Sequence, residues 1–126
     1  MHALDLTQAR GRRGPLEILC VGAHCDDIEI GCGATLMRLA ADRPARITMV
    51  VLSSTAARAA EARRSAALFL KDARNPRVYV ESFRDGFLPA DWRRVKEHFE
   101  SLKRLPRPDV IFTHEARDLH QDHRMV

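Results

Sequence analysis

Leu16-Glu17-Ile18-Leu19-Cys20-Val21-Gly22-Ala23-His24-Cys25-Asp26-Asp27 is the stretch that decides the fold. Leu16 to Val21 is a nearly continuous apolar run, broken by Glu17 alone, and Gly22 stops it. Such a run fits a strand buried on both faces, the hallmark of a parallel sheet. Downstream, small residues from Gly31 open a helical stretch with Leu36, Leu39 and Ala40 on one face, and Asp42 and Pro44 end it. Ile47 to Leu52 is a second buried run, and Ser53, Ser54 or Thr55 can cap the helix expected from about Ala57 to Lys71. Asn75-Pro76 breaks the chain before a short third strand, Val78 to Val80. Phe83 to Pro89 reads as a loop with Asp85-Gly86 as its turn. Trp92, Val95, Phe99 and Leu102 mark one face of a third helix, which Pro106 and Pro108 stop, and Val110 to Thr113 is a fourth strand. Upstream, residues 1–15 hold Gly11, Gly14 and Pro15 among basic residues without periodicity and read as a flexible leader.

Strands alternating with helices predict an α/β fold, a parallel sheet with helices on both faces. A sheet that winds outward and then reverses has strand order 3-2-1-4. That order sets the first and fourth strands side by side at a switch point, and ligands bind outside the carboxyl ends of strands there. A polar cluster follows each of those two strands.

The bulk numbers bound the rest. The 126 residues suffice for one small domain, with 45% hydrophobic and 30% charged residues. Lys plus Arg number 21 against 17 Asp plus Glu, a net charge of +4 spread along the chain. No aromatic residues interleave with the basic ones, so a nucleic-acid partner is not expected. Apolar runs are strand-sized, which predicts no membrane span, and the basic N-terminus lacks the apolar core of a signal peptide. Cys20, Cys25 and Cys32 form no C-x-x-C pair and make poor disulfide material, so a reducing cytoplasm is the expected compartment. A cysteine after a buried strand acts mostly as a small apolar filler, and all three stay out of the expected site.

The first cluster, His24-Cys25-Asp26-Asp27, offers an imidazole and two carboxylates; the second, His120-Gln121-Asp122-His123, offers two imidazoles and a carboxylate. A catalytic zinc site needs three nitrogen or oxygen ligands and an open position. His24 and Asp27 can turn toward one point on a tight loop, and His123 can supply the third ligand. Asp26 is then a spare carboxylate, suited to act as general base toward a water whose pKa a metal lowers to about 7. His120 is a spare imidazole that can protonate a leaving amine or hold an oxyanion. Asp122 can orient one of the histidines. Each residue also has a plainer role: Asp26 or Asp27 as a helix cap, and His114, His120 and His123 as a solvated loop. Joint placement at two neighbouring strand ends favours the metal site. A nucleotide-binding module is the usual rival for such a fold, but two aspartates stand where phosphates would lie. Gly31-Cys32-Gly33 comes too late to be a phosphate fingerprint, and its small residues read as a close helix–sheet approach.

Gly22-Ala23-His24-Cys25-Asp26-Asp27-Ile28-Glu29-Ile30-Gly31-Cys32-Gly33 resembles the AHPDDxxxGxGG motif of the PIG-L/LmbE-like N-deacetylases. Thr113-His114 and Asp118-Leu119-His120-Gln121-Asp122-His123-Arg124 resemble that family's THxxxDxHxDHR motif, Arg58-Ala59-Ala60-Glu61 its RxxE helix start, and Asp85-Gly86 its DG turn. The resemblance runs from about Leu16 to the end. It implies a Rossmann-like three-layer sandwich and a metal-dependent amide hydrolase, with Zn2+ or another divalent ion such as Fe2+. The implied substrate is a small N-acylated amino sugar, such as an N-acetylglucosamine conjugate. By the same resemblance His24, Asp27 and His123 are metal ligands, Asp26 the general base, His120 the stabilising or protonating residue, and Arg58 a substrate contact. Cys25 stands where the family has proline and Ala34 where it has the last glycine. The chain also ends three residues after His123. Residues 16–126 are thus expected to be the N-terminal part of a deacetylase domain, apparently truncated, with its fourth strand at an open edge. An open edge invites pairing with another chain, a homo-oligomer included, and a truncated chain can be a weak or inactive metal-binding fragment acting through that edge.

Overall fold

Residues 14–126 are described by a computed structural model, so the leader expected over 1–15 falls, but for Gly14 and Pro15, outside the described residues. The opening apolar run is strand β1 (Leu16–Gly22), followed by helix α1 (Asp27–Asp42), β2 (Ala45–Ser53), α2 (Ala56–Phe69), β3 (Arg77–Phe83), α3 (Trp92–Leu102) and β4 (Val110–Phe112). The four strands form one sheet in the order β3-β2-β1-β4, and every pairing is parallel. β1 runs in register with β2 from Leu16 opposite Ala45 to Gly22 opposite Val51, and with β4 from Ile18 opposite Val110 to Cys20 opposite Phe112. The carboxyl ends of β1 and β4 therefore lie side by side.

Two cores flank the sheet. Successive strand residues point to opposite faces, so a strand buried on both sides feeds both. Ile47, Met49 and Val51 of β2 pack with Leu36 and Ala40 of α1 and Ala62 and Ala66 of α2. Val50 and Leu52 pack on the other face with Leu88 and with Val95 of α3. These are the three expected layers. Glu17, the one charge in β1, is buried but paired: its carboxylate accepts from Arg46 at 2.9 Å, and its backbone N–H donates to Asp109 at 2.9 Å. Leu36 is fully buried. Leu36→Ala should lower stability by about 2–5 kcal/mol through lost transfer energy and the cavity left behind. Urea denaturation measures this, and a loss below about 1 kcal/mol would mean that α1 collapses onto the sheet more freely than drawn here.

Several element bounds differ from expectation for local reasons. α1 starts at Asp27, not Gly31, because Ile30 N–H donates to the Asp26 carbonyl at 3.0 Å and closes the first turn. Asp27 and Glu29 in that turn suit the positive end of the helix dipole. Gly31 and Gly33 are not points of close approach: a Cβ at Gly31 would meet nothing within 4 Å, and one at Gly33 only the Ile28 carbonyl at 3.9 Å. Thr55 is the residue that caps α2, its hydroxyl accepting from Arg58 N–H at 3.3 Å. β3 extends past Val80 to Phe83 because its ladder to β2 continues through an irregularity between Val51 and Ser53. Trp92, expected on the inner face of α3, is 60% exposed; Leu88, in the 3-10 turn Leu88–Asp91 just before, fills that part of the core instead. Among the described residues no helix is long and apolar enough to cross a membrane.

Candidate functional site

His24 lies just past β1, Asp27 opens α1, and His114 follows β4; His120, Asp122 and His123 come from the segment that runs back over the strand ends. Gly22 eases the first of these placements. A Cβ there would sit 3.1 Å from Ile28 Cγ1 and 3.2 Å from Asp27 Cβ, so a larger residue would have to push the first turn of α1 off the strand end by a few tenths of an ångström, whereas glycine lets it fall back closely. Asp27 then accepts the His24 backbone N–H at 2.7 Å, which closes the loop between them.

Three side chains converge. His24 Nδ1 lies 3.3 Å from Asp27 Oδ2 and 3.2 Å from His123 Nε2, and His123 Nε2 lies 3.5 Å from Asp27 Oδ1. The far nitrogens of both rings face carboxylates. His24 Nε2 is 3.3 Å from Asp122 Oδ2 and 3.2 Å from Asp85 Oδ1, and His123 Nδ1 is 3.1 Å from Asp118 Oδ2. Carboxylates accept only, so in the neutral rings these partners assign the protons to His24 Nε2 and His123 Nδ1. Two imidazole lone pairs and a carboxylate oxygen are then left facing one another. Such a set of acceptors calls for positive charge at its centre. The separations also fit: tetrahedral bonds of about 2.0–2.1 Å put neighbouring ligand atoms about 3.3–3.4 Å apart. Two nitrogens and a carboxylate oxygen suit a divalent ion such as Zn2+ or Fe2+.

Asp122 is fully buried. Its Oδ2 accepts Gly86 N–H at 2.7 Å besides facing His24, and its Oδ1 accepts Leu88 N–H at 3.1 Å. One carboxylate therefore orients His24 and pins the turn after β3, where Gly86 adopts a positive φ of 78°. Asp122→Asn keeps the shape but turns an N–H toward a donor. It should weaken metal binding by about 10–100-fold and cost about 1–3 kcal/mol of stability. Metal titration of the folded variant measures the first effect, and unchanged affinity would remove Asp122 from the support of His24.

The remaining expected residues line one cleft. Asp26 does not cap α1; its carboxylate accepts from Arg58 Nη2 at 3.2 Å, and Arg58 Nη1 donates to Glu61 at 2.6 Å. His120 Nδ1 accepts the Asp122 backbone N–H at 3.1 Å, so the neutral ring carries its proton on Nε2. His120 packs against both other imidazoles, with ring centroids 4.7 Å from His24 and 4.7 Å from His123. The cleft measures about 560 Å³ and is walled by Asp26, Arg58, His120, Arg84, Asp85 and the hydroxyls of Ser53, Ser54, Thr55 and Ser82. That volume suits a small polar molecule.

Three residues join the site beyond those expected from the sequence. Asp118 faces His123 Nδ1 and also accepts His120 N–H at 2.8 Å; these contacts hold its carboxyl below the usual range. Asp85, exposed at the cleft, faces His24. His114 stacks on His123 with ring centroids 3.9 Å apart and 10° between planes, and burial pushes its pKa down. All three stand inside the quoted motifs, as the DG turn, the first aspartate of the second motif and its leading histidine; that was the available signal. Cys25, by contrast, behaves as the expected filler: it is buried, and its thiol donates to the Ser53 carbonyl at 3.6 Å.

Comparison with known proteins bears on the fold and the family. A 35-residue stretch is 60% identical to the uncharacterized deacetylase YaiS of Escherichia coli, covering 28% of this chain and 17% of that protein. The conserved protein TT1542 of Thermus thermophilus superposes with a TM-score of 0.67 at 28% identity, over 87% of this chain and 51% of that one. The N,N'-diacetylchitobiose deacetylase of Pyrococcus horikoshii shares the fold, with a TM-score of 0.67 at 24% identity over 86% of this chain and 45% of that one. The chain thus spans about half the length of these solved structures. The model of the PIG-L family, described as GlcNAc-PI de-N-acetylase, matches residues 19–126. With both motifs at neighbouring strand ends and nearly the whole chain matched, this protein belongs to the PIG-L deacetylase family.

Proposed function

We propose that residues 16–126 form the N-terminal part of a zinc-dependent N-deacetylase domain, which hydrolyses the amide of a small N-acylated amino sugar or related conjugate. The observation that carries this reading is the convergence of His24 Nδ1, Asp27 and His123 Nε2, mutually 3.2–3.5 Å apart, with carboxylates facing the outer ring nitrogens. These three residues would hold the ion; Fe2+ suits the same ligands. When bound, it supplies Lewis acidity that acidifies water and polarises a carbonyl oxygen.

The chain's own groups do the proton work. Asp26 faces the cleft and takes the proton of the attacking water as general base. The new C–O bond forms as the amide C–N bond breaks, and the products are a carboxylate and a free amine. His120, with its proton on Nε2, donates a hydrogen bond to the oxyanion, and the proton taken by Asp26 passes to the leaving nitrogen as the C–N bond breaks. Arg58 steadies Asp26 through its Nη2 and presents a guanidinium to the substrate. Asp122 sets the ring of His24 from beneath. The polar residues along the wall, Arg84 among them, suit a polar substrate.

A second reading is a chain that holds metal but turns nothing over by itself and meets another polypeptide through the edge of β4. What favours it is Ile111, 56% exposed on that edge strand. Amine release from N-acetylglucosamine conjugates, measured on zinc-loaded protein, separates the two. Release above the rate of metal-free protein is the expected result. Full zinc occupancy without release would leave the second reading standing.

A further inference from the structure

We infer that His114 is a positioning residue for the metal centre: its ring clamps the ligand His123 and ties the loop of the first cluster to the end of β4. This rests on the metal-holding reading above. The histidine ring turns about a soft, roughly two-fold terminal torsion, so a ligand histidine needs contacts on its faces as well as at its far nitrogen. His123 has two such ring neighbours. His114 is stacked at 3.9 Å with planes 10° apart, and His120 packs at 4.7 Å with planes 26° apart. Asp118 Oδ2 lies 3.1 Å from the edge atom Nδ1, a close charge contact without hydrogen-bond geometry. His114 is itself held: its side chain is 12% exposed, and its Nε2 accepts the Ala23 backbone N–H at 3.0 Å. Ala23 directly precedes the ligand His24. One ring therefore spans both halves of the site, gripping the backbone of the first and the imidazole of the second.

His114, Asp27 and His123 also lie close enough to one another to share an ion. The hydrogen bond from Ala23 argues against that role, because it occupies the Nε2 lone pair, the atom that lies 3.2 Å from Asp27 Oδ2. A ligand and a clamp respond differently to substitution. Phenylalanine keeps the stacked ring and has no lone pair; alanine removes both.

The test is Zn2+ titration of the wild type, His114→Phe, His114→Ala and His123→Ala, each checked for folding by thermal denaturation. His114→Ala should bind Zn2+ about 10–100-fold more weakly than wild type, the range of residues that orient ligands. His114→Phe should recover the part of that loss that comes from the stack, though not the part from the Ala23 tie, whereas a ligand role would make it as weak as His123→Ala. In metal-free protein the ring protons of His123 should carry a ring-current shift in the wild type and in His114→Phe, and a smaller one, from His120 and His24 alone, in His114→Ala. Should the alanine variant not fold, the phenylalanine variant alone decides between clamp and ligand. Unchanged affinity in His114→Ala, or a phenylalanine variant as weak as His123→Ala, overturns the inference. A wild type that takes up no Zn2+ overturns the metal-holding reading itself, and that shows before any His114 variant is measured.

Discussion

His123→Ala should abolish stoichiometric zinc binding while leaving the fold intact. His123 supplies one of three converging ligand atoms, and its Nε2 stands 3.2 Å from His24 Nδ1 and 3.5 Å from Asp27 Oδ1. Alanine removes that atom and the stack on His114, and leaves Asp118 without its ring partner. Loss of an orienting partner weakens a metal site by about 10–100-fold, so loss of a ligand should exceed about 100-fold. His123 belongs to neither apolar core, so thermal stability in metal-free form should change by less than about 1 kcal/mol. Elemental analysis of dialysed protein gives the first number and thermal denaturation the second. Unchanged zinc content would take the second cluster out of the site.

Asp26→Asn should show the opposite pattern, with metal retained and turnover lost. Asp26 stands next to Asp27, a proposed metal ligand, yet its carboxylate is turned to Arg58 at 3.2 Å in the cleft. Asparagine is isosteric and cannot take a proton at neutral pH. A general base contributes roughly 10²–10⁴-fold to rate, so amine release should fall by about that factor at unchanged zinc occupancy. Loss of zinc in this variant would make Asp26 a ligand and reverse the roles given to the two aspartates.

The fold was legible because hydrophobic runs and breaks report backbone topology directly. The runs at Leu16–Val21 and Ile47–Leu52 fit strands buried on both faces, and alternation with helices fits a sheet that winds outward and reverses, in the order β3-β2-β1-β4. What pattern cannot report is where hydrogen bonding carries an element past its apolar residues. α1 begins on Asp27 because a carbonyl of the motif closes its first turn, and β3 runs on through Glu81 and Ser82 because its partner strand continues. Trp92 looked like core by spacing alone; Leu88 reaches that space first from the preceding turn.

The site was legible as two clusters but not as a network. His24, Asp27 and His123 were chosen for residue type and for the strand ends they follow. The supports of those rings depend on contacts between segments about 90 residues apart, which spacing cannot reveal: Ala23 to His114, and His24 to Asp122. His114 looked like one more polar residue of a loop. Burial against His123 and the Ala23 N–H make it part of the centre. Asp122 was expected to orient a histidine, and the second half of its work, holding the turn at Gly86 and Leu88, had no signature beyond a turn dipeptide.

Zinc content per folded chain, after excess ion is dialysed away, tests the central claim most directly. The geometry of His24, Asp27 and His123 predicts one equivalent of tightly held Zn2+ in the wild type. A folded protein that retains none, with the same zinc content as its His123→Ala variant, would contradict a metal centre at these strand ends.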